Sequence, residues 1–327
     1  MYGYDPYELR KNGAIMNLSL FSIYLLFLRS SLGFHIPYTP PPQYPPAIVR
    51  SIKSQTPSPI EKSYMESQIQ KYISDQDASH TLIPLPNTEH ANAKVILNPS
   101  PLFGKNGPKK EDVVQGQTGD CYLLAVLAGL AEKTDYLRSI IQATDKTATQ
   151  FRVHYYDYTT GEKEFMDVFD TSYVNFNNVP IYAGDNPELA PMQRVSWVKI
   201  LENWFAKYNE LKVVISDDLG YSGIGKGGWP DIPYKLLTGK NLIYNKVKDF
   251  THKSLEAFTQ AMSKANSDGF IILASRPDSS LRELPGGHAY FVLGVEHDQV
   301  ALYNPWGMKV HISISKLFKN TMSYYKN

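Results

Sequence analysis

Residues 115–132 read QGQTGDCYLLAVLAGLAE and contain Cys121, the single cysteine of this 327-residue chain. Gly116 and Gly119 precede the cysteine and predict a tight turn, and an apolar run follows it. A helix without a polar face must be buried on all sides, so residues 122–131 predict a central helix with Cys121 in its first turn. Because the positive end of a helix favours a thiolate, we expect a lowered pKa for this thiol.

Two interpretations of Cys121 follow from the residues alone. It is either an inert buried residue of a core helix or a thiol nucleophile. A nucleophile that attacks a carbonyl needs two donors for the oxyanion, and the Cys121 backbone N–H and the Gln115 side-chain amide are candidates. It also needs an imidazole and a group that orients the ring. The rest of the chain has to supply those parts.

A histidine and an asparagine follow at the ends of two predicted strands. His288 is the second residue of GHAYFVLG, residues 287–294, and Asn304 ends the strand of YNPWG. Alternating apolar residues predict that these strands pair antiparallel through a turn near residues 297–299, which brings His288 and Asn304 to one sheet edge. Trp306 is placed to shield the His–Asn hydrogen bond from water.

Three strings resemble the core of the calpain family of papain-like cysteine proteases. They are Q-G-x-x-G-D-C-x-L-L around Cys121, G-H-A-Y at His288 and N-P-W-G at Asn304. Tyr122 stands where the family has tryptophan, and Tyr303 stands where it has arginine. The resemblance extends over residues 97–307.

The resemblance implies an α+β, papain-like, two-lobed cysteine protease. A helical first lobe would carry the Cys helix, and an antiparallel sheet in the second lobe would carry the histidine and the asparagine. Catalytic roles are implied for Cys121, His288 and Asn304, with Gln115 as the oxyanion donor and Trp306 as the shield of the site.

The resemblance also raises calcium as a regulator, although the chemistry itself requires no cofactor. Calpain cores are typically calcium-gated, and Asp112 matches the place of one acidic ligand. The partner acid is missing, because Val195 and Ser196 precede the tryptophan of the following helix. The sequence contains no EF-hand loop pattern, and we expect no C-terminal β-sandwich or EF-hand domain.

Four regions are predicted along the chain. Residues 1–36 include an apolar stretch, 14–28, which is shorter than the roughly 20 residues of a membrane-spanning helix. That stretch is a signal or anchor, a helix packed on the protein, or a partner surface. Residues 37–95 form a proline-rich linker, with an SH3-type ligand as the alternative, followed by an irregular part. Residues 96–219 form the first lobe and residues 220–327 the second.

Local patterns inside the two lobes predict particular elements. Residues 151–169 predict a β-hairpin. Residues 196–207 predict an amphipathic helix whose Lys199, Glu202 and Asn203 face away from the core. The glycines of residues 220–228 predict irregular backbone, which we interpret as a mobile hinge between the lobes.

The composition limits the possible partners. The chain has 33 basic and 32 acidic residues, so it lacks the excess of positive charge that is typical of proteins that bind nucleic acids. We expect no nucleic-acid partner. We expect protein or peptide substrates, with membrane association through residues 14–28 as a possibility. We expect a cytoplasmic protein, while the apolar stretch keeps secretion or membrane anchoring open.

Three functions from different classes remain. The first is a thiol endopeptidase that uses Cys121, His288, Asn304 and Gln115. The second is a catalytically silent adaptor with the same fold, acting through the apolar and proline-rich segments. The third is a transglutaminase-type acyl transferase, which favours Asp over Asn as the third residue.

Overall fold

The computed structural model describes residues 83–97, 100–144, 148–184, 194–212, 214–267 and 269–327. All of them belong to one compact unit, Pro37–Asn327. The apolar stretch 14–28 and the proline-rich region lie outside the described residues. Among the described residues, none of the helices combines the length and the hydropathy needed to cross a bilayer.

The Cys helix, α1 (Cys121–Ala131), is central to the fold, as the apolar run predicts. Every residue from Tyr122 to Ala131 is buried. Helix α2 (Thr134–Ile140) follows it directly. A three-stranded antiparallel sheet of β2 (Ile141–Ala143), β3 (Gln150–Tyr156) and β4 (Lys163–Phe169) comes next, and its β3–β4 pair is the predicted hairpin.

A small sheet completes this part of the chain. Strand β1 (Lys94–Leu97) pairs antiparallel with β5 (Thr171–Val174), although the sequence pattern indicates irregular structure over residues 79–98. The backbone groups of β1 pair with residues more than seventy positions later in the sequence. A local sequence pattern therefore does not predict this strand.

Helix α3 (Trp197–Lys212) is present as predicted, but its polar residues are buried. Lys199, Glu202 and Asn203 are at most 3% exposed. Lys199 Nζ lies 2.7 Å from Asp170 Oδ1, and Asn203 Nδ2 donates to the Thr171 carbonyl at 3.0 Å. The prediction that these side chains face solvent is wrong, because partners distant in sequence allow polar groups to be buried.

The glycine-rich segment is partly regular. Residues Gly220–Ile224 form a short helix, α4, which packs on α3. Tyr221 and Ile224 are buried, so irregular backbone is the wrong prediction for this stretch. Helix α5 (Asp231–Thr238) then packs on β3. A hinge and a lobe boundary at residue 220 stay predictions.

The remaining residues build a six-stranded antiparallel sheet in the order β12-β11-β10-β7-β13-β6. Its strands are β6 (Ile243–Lys246), β7 (Ile271–Ser275), β10 (Ala289–Glu296), β11 (Gln299–Asn304), β12 (Met308–Ser313) and β13 (Thr321–Lys326). Two short strands, β8 (Ser280–Leu281) and β9 (Leu284–Pro285), pair outside it. Helices α6 (His252–Ser263) and α7 (Ile314–Asn320) accompany the sheet. The predicted antiparallel pair β10–β11 is confirmed.

One apolar core joins the Cys helix to this sheet. This core of buried apolar residues contains α1 together with Phe270, Ala289 and Phe291. The backbone of Gly129 allows the close approach, because a Cβ at this position would lie 2.5 Å from Phe270 Cε2. The α+β fold is confirmed, and its packing sets Cys121 beside the start of β10.

Candidate active site

Cys121 is the first residue of α1, where backbone N–H groups have no partners within the helix. Asp120 precedes it, and the Asp120 carbonyl accepts hydrogen bonds from Leu123 N and Leu124 N at 2.9 and 3.1 Å. Cys121 is partly exposed. The Ala289 backbone N–H is a hydrogen-bond donor to its thiol. The thiol therefore faces the residue that follows His288.

The loop before the cysteine is held by several contacts. Gln115 Nε2 donates to the Thr118 carbonyl at 2.6 Å, which orients the amide. The Gln115 backbone N–H donates to the Pro305 carbonyl at 2.8 Å. Gly119 is required for packing, since a Cβ here would lie 2.3 Å from the Gly225 carbonyl oxygen. The Gln115 loop is thus fixed to the segment that carries Asn304.

His288 and Asn304 meet across neighbouring strands. His288 Nε2 lies 2.8 Å from Asn304 Oδ1. Asn304 Oδ1 also accepts from the Trp306 backbone N–H at 3.0 Å, so it acts as an acceptor towards both groups. In the neutral ring Nε2 then carries the hydrogen and Nδ1 keeps a lone pair, as assigned from this network.

Two aromatic rings contact the imidazole, and a hydroxyl binds the His288 backbone. The Trp306 ring lies 4.6 Å from the His288 ring between centroids, and the Tyr290 ring lies 4.9 Å away edge-on. Ser275 Oγ accepts a hydrogen bond from the His288 backbone N–H at 3.0 Å. His288 is only 6% exposed, and the Trp306 ring packs against it.

Burial controls the resting charge of the thiol and the imidazole. Burial raises the pKa of the Cys121 thiol to about 12, although the Ala289 N–H lowers it. Burial lowers the pKa of His288 to about 4, although the Asn304 hydrogen bond raises it. The expectation of a lowered thiol pKa is wrong for this resting site, because desolvation outweighs the helix dipole.

Asp112, the candidate calcium ligand, accepts hydrogen bonds from two neighbours. Its Oδ2 accepts from Trp197 Nε1 at 2.8 Å and from the Lys109 backbone N–H at 2.9 Å. Ser196, at the place of the expected partner acid, donates through Oγ to Asp170 Oδ2 at 2.7 Å. The described residues contain no cluster of three or more His, Cys, Asp or Glu side chains able to hold a metal.

Two features of the site were missed by sequence reasoning. Tyr303, at the family's arginine position, donates through its hydroxyl to the Val113 carbonyl at 3.0 Å and ties β11 to the Gln115 loop. Asp120 and Glu202 are both fully buried next to the Cys helix. The burial of Glu202 could have been predicted from the sequence. Trp197, Leu201 and Trp204 are large apolar residues of the same helix and leave little of its surface for solvent.

The fold is the mixed arrangement of helices and antiparallel sheets that the calpain resemblance implies. Residues 89–313 match the family model described as calpain family cysteine protease. Since this match covers more than half of the chain, the protein belongs to the calpain family of cysteine proteases.

The sequence identity to individual relatives is low. Human calpain-9 is 25% identical over 229 residues, which cover 65% of this chain and 30% of calpain-9. The calpain-2 catalytic subunit of Gallus gallus is 23% identical over 243 residues, covering 68% of this chain and 32% of that protein. A thiol protease of Porphyromonas gingivalis is 25% identical over 261 residues, covering 71% and 52%. The chain therefore spans between about a third and a half of the length of these relatives.

Proposed function

We propose that this protein is a cysteine endopeptidase that hydrolyses peptide bonds of protein or peptide substrates with Cys121, His288, Asn304 and Gln115. The observation that carries the proposal is the His288 Nε2–Asn304 Oδ1 contact of 2.8 Å, made while the Cys121 thiol faces Ala289. A hydrogen bond at Nε2 leaves Nδ1 as the proton acceptor of the ring.

The first half of the reaction forms a thioester. Cys121 Sγ attacks the substrate carbonyl carbon, and its proton passes to His288 Nδ1. The carbonyl oxygen becomes an oxyanion that accepts from the Cys121 backbone N–H and from Gln115 Nε2, whose other hydrogen is used by Thr118. When the intermediate collapses, the C–N bond breaks and His288 returns the proton to the leaving amine.

The second half releases the acid product. Water attacks the thioester carbonyl while His288 takes one of its protons. The C–S bond then breaks, and the proton returns to the sulfur. Asn304 keeps the ring in the required tautomer in both halves, and the Trp306 ring excludes water from the His–Asn contact.

The resting pKa values support proton transfer during attack rather than before it. Because burial raises the pKa of the thiol and lowers that of the imidazole, the neutral pair is favoured until substrate arrives. His288 then acts as a general base, and its lowered pKa keeps the base form available below the usual histidine range.

We propose further that hydrolysis does not require calcium. Asp112 already accepts two hydrogen bonds on Oδ2, and Tyr303 and Gln115 join the Cys loop to the Asn304 segment through the Val113 and Pro305 carbonyls. These direct bonds support a site that is aligned by the protein alone. A cytoplasmic location and membrane association through residues 14–28 remain further predictions.

The test is the release of new amino termini from unfolded β-casein by the full chain, in EGTA and in excess calcium. We expect hydrolysis under both conditions at the same rate. Calcium gating would change the rate by at least about fivefold, the lower end of usual coupling between sites. Absence of hydrolysis under both conditions would favour the adaptor, and isopeptide products without hydrolysis would favour the acyl transferase.

A further inference from the structure

Two buried carboxyl groups meet beneath the start of the Cys helix. Asp120 immediately precedes Cys121, and Glu202 comes from the middle of α3. Both residues are 0% exposed. A hydrogen bond between the two carboxyl groups raises the pKa of Asp120 and lowers that of Glu202. Neither carboxyl group has a role in the proposed hydrolysis.

The donors around the pair are unevenly divided. The Ala183 backbone N–H donates to the Glu202 carboxyl, at 3.0 Å from Oε2 and 3.2 Å from Oε1. The Tyr221 hydroxyl is 3.0 Å from Glu202 Oε2 and 2.8 Å from Asn203 Oδ1. Within the described part of the chain, no other residue donates a hydrogen bond to either oxygen of Asp120, and its own backbone N–H has only a small effect on its pKa. Two carboxylates in contact repel each other, so the contact requires a proton on one of them.

The proton is expected on Asp120. Glu202 receives donors from other residues that stabilise a carboxylate, whereas Asp120 has only its own backbone N–H nearby and has Glu202 as its neighbour. Burial raises the pKa of both groups, and the charge of Glu202 raises that of Asp120 further. The cationic side chains of α3 nearby have acidic partners elsewhere, Lys199 with Asp170 and Lys207 with Glu210.

The other titratable groups facing the pair are a thiol and phenols. They are Cys121 and Tyr122 of α1, Tyr221 of α4 and Tyr182 of the intervening loop. Burial raises the pKa of each of them, so all four are uncharged at neutral pH. The pair therefore determines how much negative charge lies next to the cysteine.

We propose that Asp120 and Glu202 share one proton. The proton lies on Asp120, which is therefore neutral next to the Cys121 thiol. The negative charge of the pair lies on Glu202, farther from the thiol. This inference rests on the proposed function of Cys121 as nucleophile. A carboxylate at Asp120 disfavours the thiolate by direct repulsion. Loss of the shared proton at high pH therefore slows attack, and Asp120 acts as a positioning residue.

Amide substitutions move the charge without changing the shape. In Glu202→Gln the new amide donates to Asp120, which then holds the full charge beside the thiol. In Asp120→Asn the amide donates to Glu202, as the protonated Asp120 does, and it cannot lose that hydrogen. The double variant carries no charge. Asp135→Asn, which neutralises an exposed carboxyl on α2, is the control.

The readout is the pH dependence of Cys121 alkylation by iodoacetamide, which needs a thiol but no proteolysis. We expect the pKa of the Cys121 thiol to be higher in Glu202→Gln than in the wild type and lowest in the double variant. Below the pKa, each unit of change in that pKa changes the alkylation rate about tenfold, because only the thiolate reacts. The high-pH fall in hydrolysis is expected to move upward in Asp120→Asn, and Asp135→Asn should match the wild type throughout.

Equal thiol pKa values in the two single variants would overturn the proposal and leave only a packing role for the pair. Circular dichroism establishes that each variant is folded. If a variant does not fold, infrared spectroscopy of the wild type decides the question, because a protonated buried carboxyl has a C=O stretching band at neutral pH that disappears on alkaline titration. Absence of that band would contradict the shared proton. Failure of hydrolysis with the expected pKa order would reject the proposed function alone.

Discussion

Replacement of Cys121 by alanine is expected to abolish peptide hydrolysis. Without the sulfur no thioester forms, and loss of a covalent nucleophile typically lowers kcat by at least about a thousandfold. The side chain is partly exposed at the first turn of α1, so its truncation leaves the buried residues 122–131 in place. The measurement is kcat for β-casein cleavage, together with the melting temperature of each protein.

Cys121→Ser is the matched control for shape, because it keeps a side chain of similar size with a far weaker nucleophile. We expect it to be as inactive as Cys121→Ala and to melt at the wild-type temperature. Retention of hydrolysis by the alanine variant would mean that another residue performs the attack, and the assignment of the site would be wrong.

Replacement of Gly129 by valine is expected to destabilise the protein and lower its activity together. A Cβ at this position would lie 2.5 Å from Phe270 Cε2 and 2.9 Å from Phe291 Cδ2 and Cε2. Overpacking of a core typically costs about 1–3 kcal/mol. Glycine is a poor helix former, but valine recovers less than about 1 kcal/mol of helix propensity, so the clash dominates.

The activity falls because this contact sets the distance between the Cys helix and the sheet that carries His288. Displacement by about 1 Å can cost about a hundredfold in rate. The measurements are the free energy of unfolding in urea and kcat/KM for the same samples. Gly129→Ala should show a smaller loss in both.

A second substitution separates the clash from other effects of the valine. Phe270→Leu removes the ring edge that the new side chain meets, so Gly129→Val/Phe270→Leu should recover part of the activity lost in Gly129→Val. Unchanged stability and activity in Gly129→Val would show that α1 and β10 are not held together at this point.

Patterns confined to one element predicted the fold well. The fully apolar run after Cys121 predicted the buried central helix, and alternation predicted the β3–β4 hairpin and the β10–β11 pair. The position of His288 and Asn304 at the ends of that pair followed from the antiparallel register, which brings Phe291 opposite Tyr303. The buried helix, the hairpin and the β10–β11 pair were predictable because each depends on residues close in sequence or on the pairing of two consecutive strands.

Features that depend on distant partners were not predicted. Lys199 and Glu202 are buried because Asp170 and Ala183 lie against α3 in three dimensions. The Gly220–Ile224 helix is regular because Tyr221 and Ile224 are buried against α3. Local propensity contains no information about such contacts, so exposure and irregular backbone were the wrong predictions here.

The charge state of Cys121 was mispredicted for an energetic reason. A helix N-terminus typically stabilises an anion by about 0.3–2 kcal/mol, whereas complete burial shifts a pKa by up to about 3–5 units. The sequence indicates the helix start but not how far the packing around the thiol removes it from water. The resting site is therefore a neutral pair whose reactivity depends on the imidazole.

Labelling of Cys121 by a peptidyl epoxide tests the central claim most directly, since the reagent needs both an activated thiol and a peptide-binding site. The adduct is located by peptide mass spectrometry in the wild type, in His288→Ala and in His252→Ala, which removes an exposed histidine as the control. The account predicts one adduct on Cys121, formed at the same rate in the wild type and in His252→Ala and much more slowly in His288→Ala. No adduct in the wild type, or an equal rate in His288→Ala, would contradict it.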